Sequence, residues 1–278
     1  MAGGRENTTE YSLGSSQRET SRLEAQAAGM QTFLQDFFVA AGLQPGMSVL
    51  DLGSGAGDTA MAARSVVGDI GQVLGVDVTA TSLARARQRV VDAGLDNVTF
   101  VEADLTQGFT PDRAFDAIVG TLVLMYLPNR EALLKSLMPH LKPGGIVAFG
   151  EINVDGGPAN PQSPTWDMLE RWWLQALVAN GTEIRMGMKL RALLMACGFV
   201  DVDGWHFVGE VSRDAGALRN RLAIARSMLP IMRRFSDATS QDLDRFDDHE
   251  TAVVREFEEN GSLYIGPTAA DLWARKPD

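Results

Sequence analysis

Residues 49–58 read Val-Leu-Asp-Leu-Gly-Ser-Gly-Ala-Gly-Asp. A short apolar run carrying one acid passes into three glycines spaced two apart, and a helical pattern follows from Thr59. A run with so little polar surface belongs to a strand inside a parallel sheet. Glycines at the turn let the backbone approach a ligand more closely than any residue with a Cβ allows. The stretch predicts a buried strand, a tight turn and a helix N-terminus, with a nucleoside-bearing cofactor on the turn.

The rest of the chain is arranged around that unit. Strands are predicted at 48–52, 72–76, 97–102, 115–119 and 146–150, with helices at 59–67, 80–93 and 129–140 between them. This alternation argues for a parallel sheet with right-handed crossovers. An amphipathic helix precedes the first strand, because Leu23, Ala27, Met30, Phe33, Leu34, Phe37 and Phe38 recur at helical steps before Gly42. It either packs on the sheet or lies over the ligand pocket as a cap. Residues 1–9 are polar and expected to be disordered.

After Glu151 the rhythm changes. A loop rich in Gly and Pro occupies 153–165, and helices follow at 166–179 and 189–196. Gly198 stops the second of these, a strand follows at 199–202, and 205–208 extends it past a bend. Residues 210–262 read as a charged helical insertion. Leu218, Leu222, Ile224, Met228 and Leu229 suffice to dock it on the main domain but not to fold it alone. Residues 271–275 read as a last strand. The expected organisation is a tail and cap at 1–44, a core at 45–209 and 263–278, and the insertion at 210–262.

Composition excludes several classes. A chain of 278 residues favours one core with elaborations over two domains. A net charge of −11 lacks the basic footprint of a nucleic-acid binder. Cys197 stands alone, so no disulfide framework or thiol metal cluster is expected, and it reads as a small buried residue. No apolar segment reaches the length of a membrane span, and residues 1–7 carry no signal-like stretch. A cytoplasmic protein that touches neither membrane nor nucleic acid is expected.

Glycines and carboxylates fall at the carboxyl ends of successive strands, the edge where open parallel sheets bind ligands. Gly53, Gly55 and Gly57 follow the first strand, Asp77 the second and Asp104 the third. Asp77 lies 22 residues beyond Gly55, the distance of an acid that accepts from ribose hydroxyls. Asp104 suits an exocyclic amine of adenine, with Ala103 and Leu105 beside it. Either acid also fits a helix N-cap. A dinucleotide turn needs Gly-x-Gly-x-x-Gly/Ala, and Asp58 occupies its last place here. An acid there would repel a pyrophosphate but not a nucleoside that bears an amino acid.

Asp51-Leu-Gly-Ser-Gly-Ala-Gly57, Gly75-Val-Asp77, Glu102-Ala-Asp104, Phe115-Asp-Ala-Ile-Val119 and Leu141-Lys-Pro-Gly-Gly-Ile146 resemble the successive motifs of class I S-adenosylmethionine-dependent methyltransferases of the small-molecule, UbiE-like and natural-product type. The resemblance is specific over about 45–151 and weaker over 185–208, at Gly187-Met-Lys-Leu190 and Ala196-Cys-Gly-Phe199. It implies an α/β fold: a Rossmann-like, seven-stranded, mainly parallel sheet of order 3-2-1-4-5-7-6, its last strand antiparallel between five and six. It places Asp51, Gly53, Ser54 and Gly55 at the methionine end of the cofactor. Asp77 and Val78 go to the ribose, Asp104, Ala103 and Leu105 to the adenine, and Thr121 to the neighbourhood of the sulfonium. Tyr11 and Gln26 resemble cap residues that close over the cofactor.

The expected activity is methyl transfer to O, C or N of a small, largely apolar molecule of secondary metabolism, leaving S-adenosylhomocysteine. In-line displacement needs orientation and a water-poor site, with a base only where the nucleophile loses a proton. Glu151, ending the fifth strand, and His206 are the candidate catalytic groups; His140 and His249 read as structural and surface residues. Phe38, Tyr126, Trp166, Trp173 and Met188 are candidate pocket walls, although helical spacing equally suits the two tryptophans to a core. Arg213, Arg219, Arg221, Arg226, Arg233 and Arg234 read as a solvated face. A cofactor-dependent cyclase or binding protein on the same fold, or an NAD-dependent dehydrogenase, is the alternative. An exposed N-terminal helix would permit a homodimer.

Overall fold

The computed structural model describes residues 30–155, 159–208, 211–212 and 215–277. Tyr11, Gln26 and Arg213 lie outside them. Helix α1 (residues 30–41) leads into β1 (Ser48–Leu52), α2 (Asp58–Val67), β2 (Gln72–Asp77), α3 (Ala80–Asp92), β3 (Val98–Glu102) and β4 (Phe115–Thr121). Then come α4 (Arg130–Leu137), β5 (Leu141–Asn153), β6 (Ala159–Asn160), α5 (Pro164–Ala179), α6 (Met186–Ala196), β7 (Val200–Val208) and β8 (Val211–Ser212). The chain ends with α7 (Ala215–Ser227), α8 (Leu229–Phe235), α9 (Ser240–Asp244), α10 (Phe246–Asn260), β9 (Leu263–Ile265) and β10 (Thr268–Arg275).

Seven strands form one sheet in the order β3-β2-β1-β4-β5-β10-β7. β1 runs parallel to both β2 and β4, whereas β10 is antiparallel to β5 and β7. Counting only these seven strands, the order is the expected 3-2-1-4-5-7-6. β1 is central because Val49, Leu50 and Leu52 are fully buried, alternating between two cores. One core lies between the sheet and α1, α2 and α3, around Phe37, Val49, Ala63 and Leu83. The other joins Leu50, Ile118 and Phe149 to α4, α6 and the late helices, through Leu133, Leu190, Leu222 and Phe246.

Several boundaries move. β10 begins three residues before the predicted strand, and β7 is one bent strand. Its bend falls where Asp201 and Gly204 take positive φ of 53° and 143°. At Gly204 a Cβ would lie 2.1 Å from the Asp271 carbonyl oxygen, so only glycine lets β10 approach there.

The described part of α1 packs on the sheet rather than covering the ligand edge. Phe37 and Phe38 are fully buried, and the Phe37 ring lies 6.1 Å from both Trp205 and Trp273. Phe38 is therefore a core residue, not a pocket wall. Its spacing marked a buried helix face without saying against what.

The late helical element is larger than the predicted insertion. A second sheet, β6-β9-β8, pairs Ala159 with Tyr264 and Ser212 with Tyr264, so residues after β5 join those before β10. Ser163 caps α5 by accepting from the Trp166 amide, and its hydroxyl donates to Glu256 of α10 at 2.5 Å. Thr165 also donates to Glu256. Helix α5 thus belongs with α7–α10, and its Trp166 ring meets Phe257 and Tyr264 edge-on. Leu218 and Leu222 dock as expected, but Ile224 stays exposed. Among the described residues, no helix is long and apolar enough to cross a membrane.

Candidate functional site

The site is built at the carboxyl ends of β1, β2, β4 and β5. Three glycines turn the chain after β1 with positive φ: Gly53 at 66°, Gly55 at 51° and Gly57 at 89°. Side chains rarely adopt such angles. At Gly53 a Cβ would strike Val123 Cγ2 at 2.5 Å, so the turn lies directly against the loop after β4. At Gly55 a Cβ would meet nothing within 4 Å. One glycine lets the loop close, and the other leaves open space over the turn.

Asp51 lies beneath the turn, fully buried; neither carboxylate oxygen makes a hydrogen bond of ordinary geometry, and the Ala60 amide nearby only partly offsets its burial. Burial first, and then the Asp77 charge, raise its pKa well above the ordinary value. A buried carboxylate left in this state is costly unless a ligand meets it. Ser54 Oγ is likewise buried and unpartnered, while the Ser54 amide donates to Val76 carbonyl at 3.0 Å. Asp77 accepts from the Gly55 amide at 2.9 Å and the Thr79 amide at 2.8 Å, tying the turn to the start of α3. Val78 beside it is 60% exposed, an apolar surface without cover.

Asp104 caps the short 3-10 turn that follows β3. Its Oδ1 takes both the amide and the hydroxyl of Thr106, which lowers its pKa. Both Thr106 bonds fall on one oxygen, and the Gln107 side chain also lies close enough to support the carboxylate. Ala103 is half-buried and Leu105 buried. Asp58 opens α2 and pairs with Arg89 at 2.8 Å, and the same guanidinium donates to the Ala56 carbonyl of the turn at 2.7 Å. Its charge is met from α3, so the repulsion expected of it toward a pyrophosphate is weakened.

Across the turn, Thr121 ends β4 and accepts from, or donates to, the Thr59 hydroxyl at 3.2 Å. Leu122 follows with a positive φ of 52°, an unusual conformation for a large side chain, and its amide donates to the Gly150 carbonyl at 2.8 Å. Glu151 is buried on the facing strand. Its Oε1 accepts from the Val123 and Leu124 amides at 3.1 and 2.7 Å, and its Oε2 is buried with no partner. Burial raises its pKa to about 7 against the lowering pull of those amides and of Arg130. Tyr126, 49% exposed, has its phenol pKa raised by burial and then by the Glu151 charge. Glu151 and Tyr126 are thus brought together.

Other candidates are placed elsewhere. His206 is exposed on the edge strand β7, opposite Ala270, which in turn stands opposite Glu151. Two strand spacings, about 10 Å, separate the two backbones, so His206 and Glu151 do not form a pair. Trp166 and Trp173 are buried in the core that α5 shares with the late helices and do not line an open wall. Their helical spacing reflected a face of α5 packed on α7, α10 and β9. Met188 is 69% exposed, and only its amide, donating to Asn153 at 2.9 Å, reaches β5.

Arg219, Arg233 and Arg234 are solvated, whereas Arg221 is 6% exposed. It donates to the Val154 carbonyl at 2.9 Å, and its guanidinium lies 3.7 Å from the Trp173 ring centroid. His249 is half-buried against Trp172 rather than solvated. Cys197 is buried and its thiol pKa pushed to about 11. No described group of three or more His, Cys, Asp or Glu can hold a metal ion. Sequence reasoning missed Asp271, a buried acid beside Gly150; its signal was a lone charge inside an apolar strand.

A seven-stranded sheet of this order, with an open glycine turn over a buried acid, defines the class I methyltransferase architecture. A family model described as a methyltransferase domain matches residues 43–196, more than half of the chain, and the protein belongs to that family. It is 36% identical over 118 residues to the ubiquinone/menaquinone biosynthesis C-methyltransferase UbiE of Ectopseudomonas mendocina, covering 42% of this chain and 46% of that one. It is 38% identical over 106 residues to the UbiE of Shewanella pealeana, covering 38% and 42%. The chain thus spans about half the length of the curated relatives it matches. Solved structures share the fold. One is the Haemonchus contortus phosphoethanolamine N-methyltransferase 2 in complex with S-adenosyl-L-methionine, with TM-score 0.54 and 19% identity over 89% of this chain and 53% of that one. Another is the YcgJ protein of Bacillus subtilis, with TM-score 0.54 and 16% identity over 90% of this chain and 99% of that one.

Proposed function

We propose that this protein is an S-adenosylmethionine-dependent methyltransferase acting on a small, largely apolar molecule. The observation that carries the reading is the open turn at Gly55 above the buried Asp51. That pairing suits a ligand with close backbone contact and a positive charge, and S-adenosylmethionine offers both. Asp51, Ser54 and Gly55 would hold its methionine end, Asp77 and Val78 its ribose, and Asp104 with Ala103 and Leu105 its adenine. Bound there, the cofactor supplies an activated methyl group on a sulfonium leaving group.

The chain's own part is orientation and proton handling. Thr121 and Leu122 shape the strand-four edge where the acceptor would meet the methyl. Glu151 Oε2 is a base poised near neutral pH, suited to a phenol or enol proton. Tyr126 would line the acceptor's entry, and the helices α5 and α7–α10 would exclude water. The named relatives are C-methyltransferases of quinone biosynthesis, which favours an acceptor carbon beside a ring hydroxyl; O and N remain in the same reach of chemistry.

The test is incubation with methyl-labelled S-adenosylmethionine and a panel of phenols, quinols and amines. Labelled product with S-adenosylhomocysteine supports the reading. Cofactor binding without turnover on any acceptor would favour a cyclase or binding protein. Tight NAD binding without affinity for S-adenosylmethionine would sink the proposal.

A further inference from the structure

Asp271 is the acid for which the cofactor motifs have no place. It stands on β10 opposite Gly150 of β5, and Gly150 stands opposite Thr121 of β4. These three positions form one row across the sheet, on the face that also carries Asp51. Asp271 Oδ1 lies 2.6 Å from where a Cβ of Gly150 would be, and the Thr121 methyl lies 3.6 Å from the same point. The carboxylate therefore reaches across the bare backbone of Gly150 toward the strand-four edge. That bare backbone is why position 150 is glycine.

The carboxylate is also uncompensated. Asp271 is 5% exposed, and its Oδ2 is buried without a hydrogen-bond partner. Among the described residues no Lys, Arg or His forms an ion pair with it. Burial alone raises its pKa, to about 6, so near neutral pH it is largely ionised. Thr121, whose methyl faces the same point above Gly150, carries a hydroxyl bonded to that of Thr59, and both hydroxyls can turn to donate or accept. The first described turn of α1 borders the region: Gln31 donates to the Asp58 carbonyl at 3.1 Å, and the Phe33 ring meets Phe207 edge-on at 5.5 Å. A buried anion at a ligand edge, with hydroxyls but no cation, is a receptor for a cation.

We propose that Asp271 is a binding residue for an alkylammonium group, received across Gly150 at the strand-four edge. The inference rests on the methyltransferase reading and deepens it. The ammonium has two possible sources, the amino-acid end of the cofactor and an amine on the acceptor. Both meet the same carboxylate. No covalent step is involved.

The test compares wild type with Asp271→Asn, which keeps the shape beside Gly150 and removes the charge. In one arm, calorimetry measures affinity for S-adenosylhomocysteine, which carries the ammonium but no sulfonium, and for its deaminated analogue. In the other, the enzyme saturated with S-adenosylhomocysteine is titrated with phenethylamine and with phenethyl alcohol. Thermal unfolding of both ligand-free proteins is recorded alongside. The inference expects the variant to lose tenfold or more in affinity for one ammonium ligand while its uncharged counterpart is unaffected. Loss in the first arm assigns the cofactor, and loss only in the second assigns an acceptor amine. It also expects the ligand-free variant to melt higher, because a buried unpaired charge is gone. Unchanged affinity in both arms, or a lower melting temperature with equal losses for charged and uncharged ligands, overturns the inference alone. Failure of wild type to bind S-adenosylhomocysteine overturns the methyltransferase reading together with it.

Discussion

Glu151 Oε1 stands 2.7 Å from the amide nitrogen of Leu124, so a carboxylate near the end of β5 caps the loop that follows β4. Two adjacent parallel strands are thereby locked at their ligand ends. The second oxygen, Oε2, is left buried and unpaired in the space between them. One side chain fixes the loop and also holds an unpaired oxygen, and burial and the loop amides pull its pKa in opposite directions. Burial wins, and the value rises to about 7.

The pH dependence of stability follows from that value. The folded state binds the Glu151 proton more tightly than the unfolded chain, whose group titrates near 4.5. Stability is therefore lost as pH rises, beginning near 4.5 and ending above about 7. The loss is on the order of 3 kcal/mol as an upper figure. Glu151→Gln retains an oxygen for the Val123 and Leu124 amides and should melt higher than wild type at pH 8, with no gain at pH 4. Its methyl transfer to a protonated acceptor should fall by about 10²–10⁴ if the carboxylate is the base. An unchanged pH–rate profile would leave Glu151 as a loop cap only.

Two glycines of the same turn should respond differently to alanine. Gly53→Ala places a Cβ on Val123 in a left-handed conformation, and should cost about 2–4 kcal/mol in unfolding free energy. Gly55→Ala meets nothing and should cost only about 1 kcal/mol, from its positive φ. The added methyl nevertheless fills the space over the turn. Affinity for S-adenosylhomocysteine should fall at least tenfold in Gly55→Ala, with a small change in melting temperature. Equal affinity in that variant would mean the turn does not hold the ligand.

The glycine turn and the acids along its edge were legible because their signals are local. A glycine turn, Asp77 and Asp104 each sit a fixed step beyond an apolar strand, so spacing alone places them on one edge. The strand order came from the resemblance, and pairing of β10 between β5 and β7 matches it. The late helical element was not legible, because its geometry depends on contacts between distant segments. Tyr264 pairs with both Ala159 and Ser212, and nothing local announces that union of two insertions. Trp166 and Phe38 show the same limit: helical spacing reveals a buried face but not the partner that buries it. Arg221 is the converse, a charge within a charged segment that the fold buries over Trp173. Asp271 stood in the sequence as a charge in an apolar strand, but what it faces was visible only once β10 was known to lie beside Gly150.

Arg221 should anchor the late helical element. Its guanidinium holds the Val154 carbonyl just beyond β5 and stacks on Trp173 of α5. It also lies near Glu170, whose pKa burial raises to about 7 despite that neighbour. Arg221→Met removes the donor and the charge while keeping much of the volume. The expected cost is about 2–4 kcal/mol, from a lost buried hydrogen bond and a lost cation–π contact. Arg219→Met, on the solvated side of the same helix, should stay within about 0.5 kcal/mol. Chemical denaturation of the two variants decides the matter, and equal stabilities would remove Arg221 from this role.

Asp77 and Asp51 are electrostatically linked, and this offers a test of the site that needs no acceptor. The Asp77 charge is the second cause, after burial, of the raised Asp51 pKa. Asp77→Asn keeps one oxygen to accept from either Gly55 or Thr79 but offers an N–H toward the other amide. That mismatch should loosen the turn by about 1–3 kcal/mol. It should also lower the Asp51 pKa, because one of two neighbouring negative charges is gone. Carbon-13 titration of the Asp51 carboxyl in the ligand-free protein reads this directly. A downward shift in Asp77→Asn, with weakened binding of S-adenosylhomocysteine, fits a site in which both acids face one cofactor. An Asp51 titration that does not move would mean the two carboxylates act in separate environments.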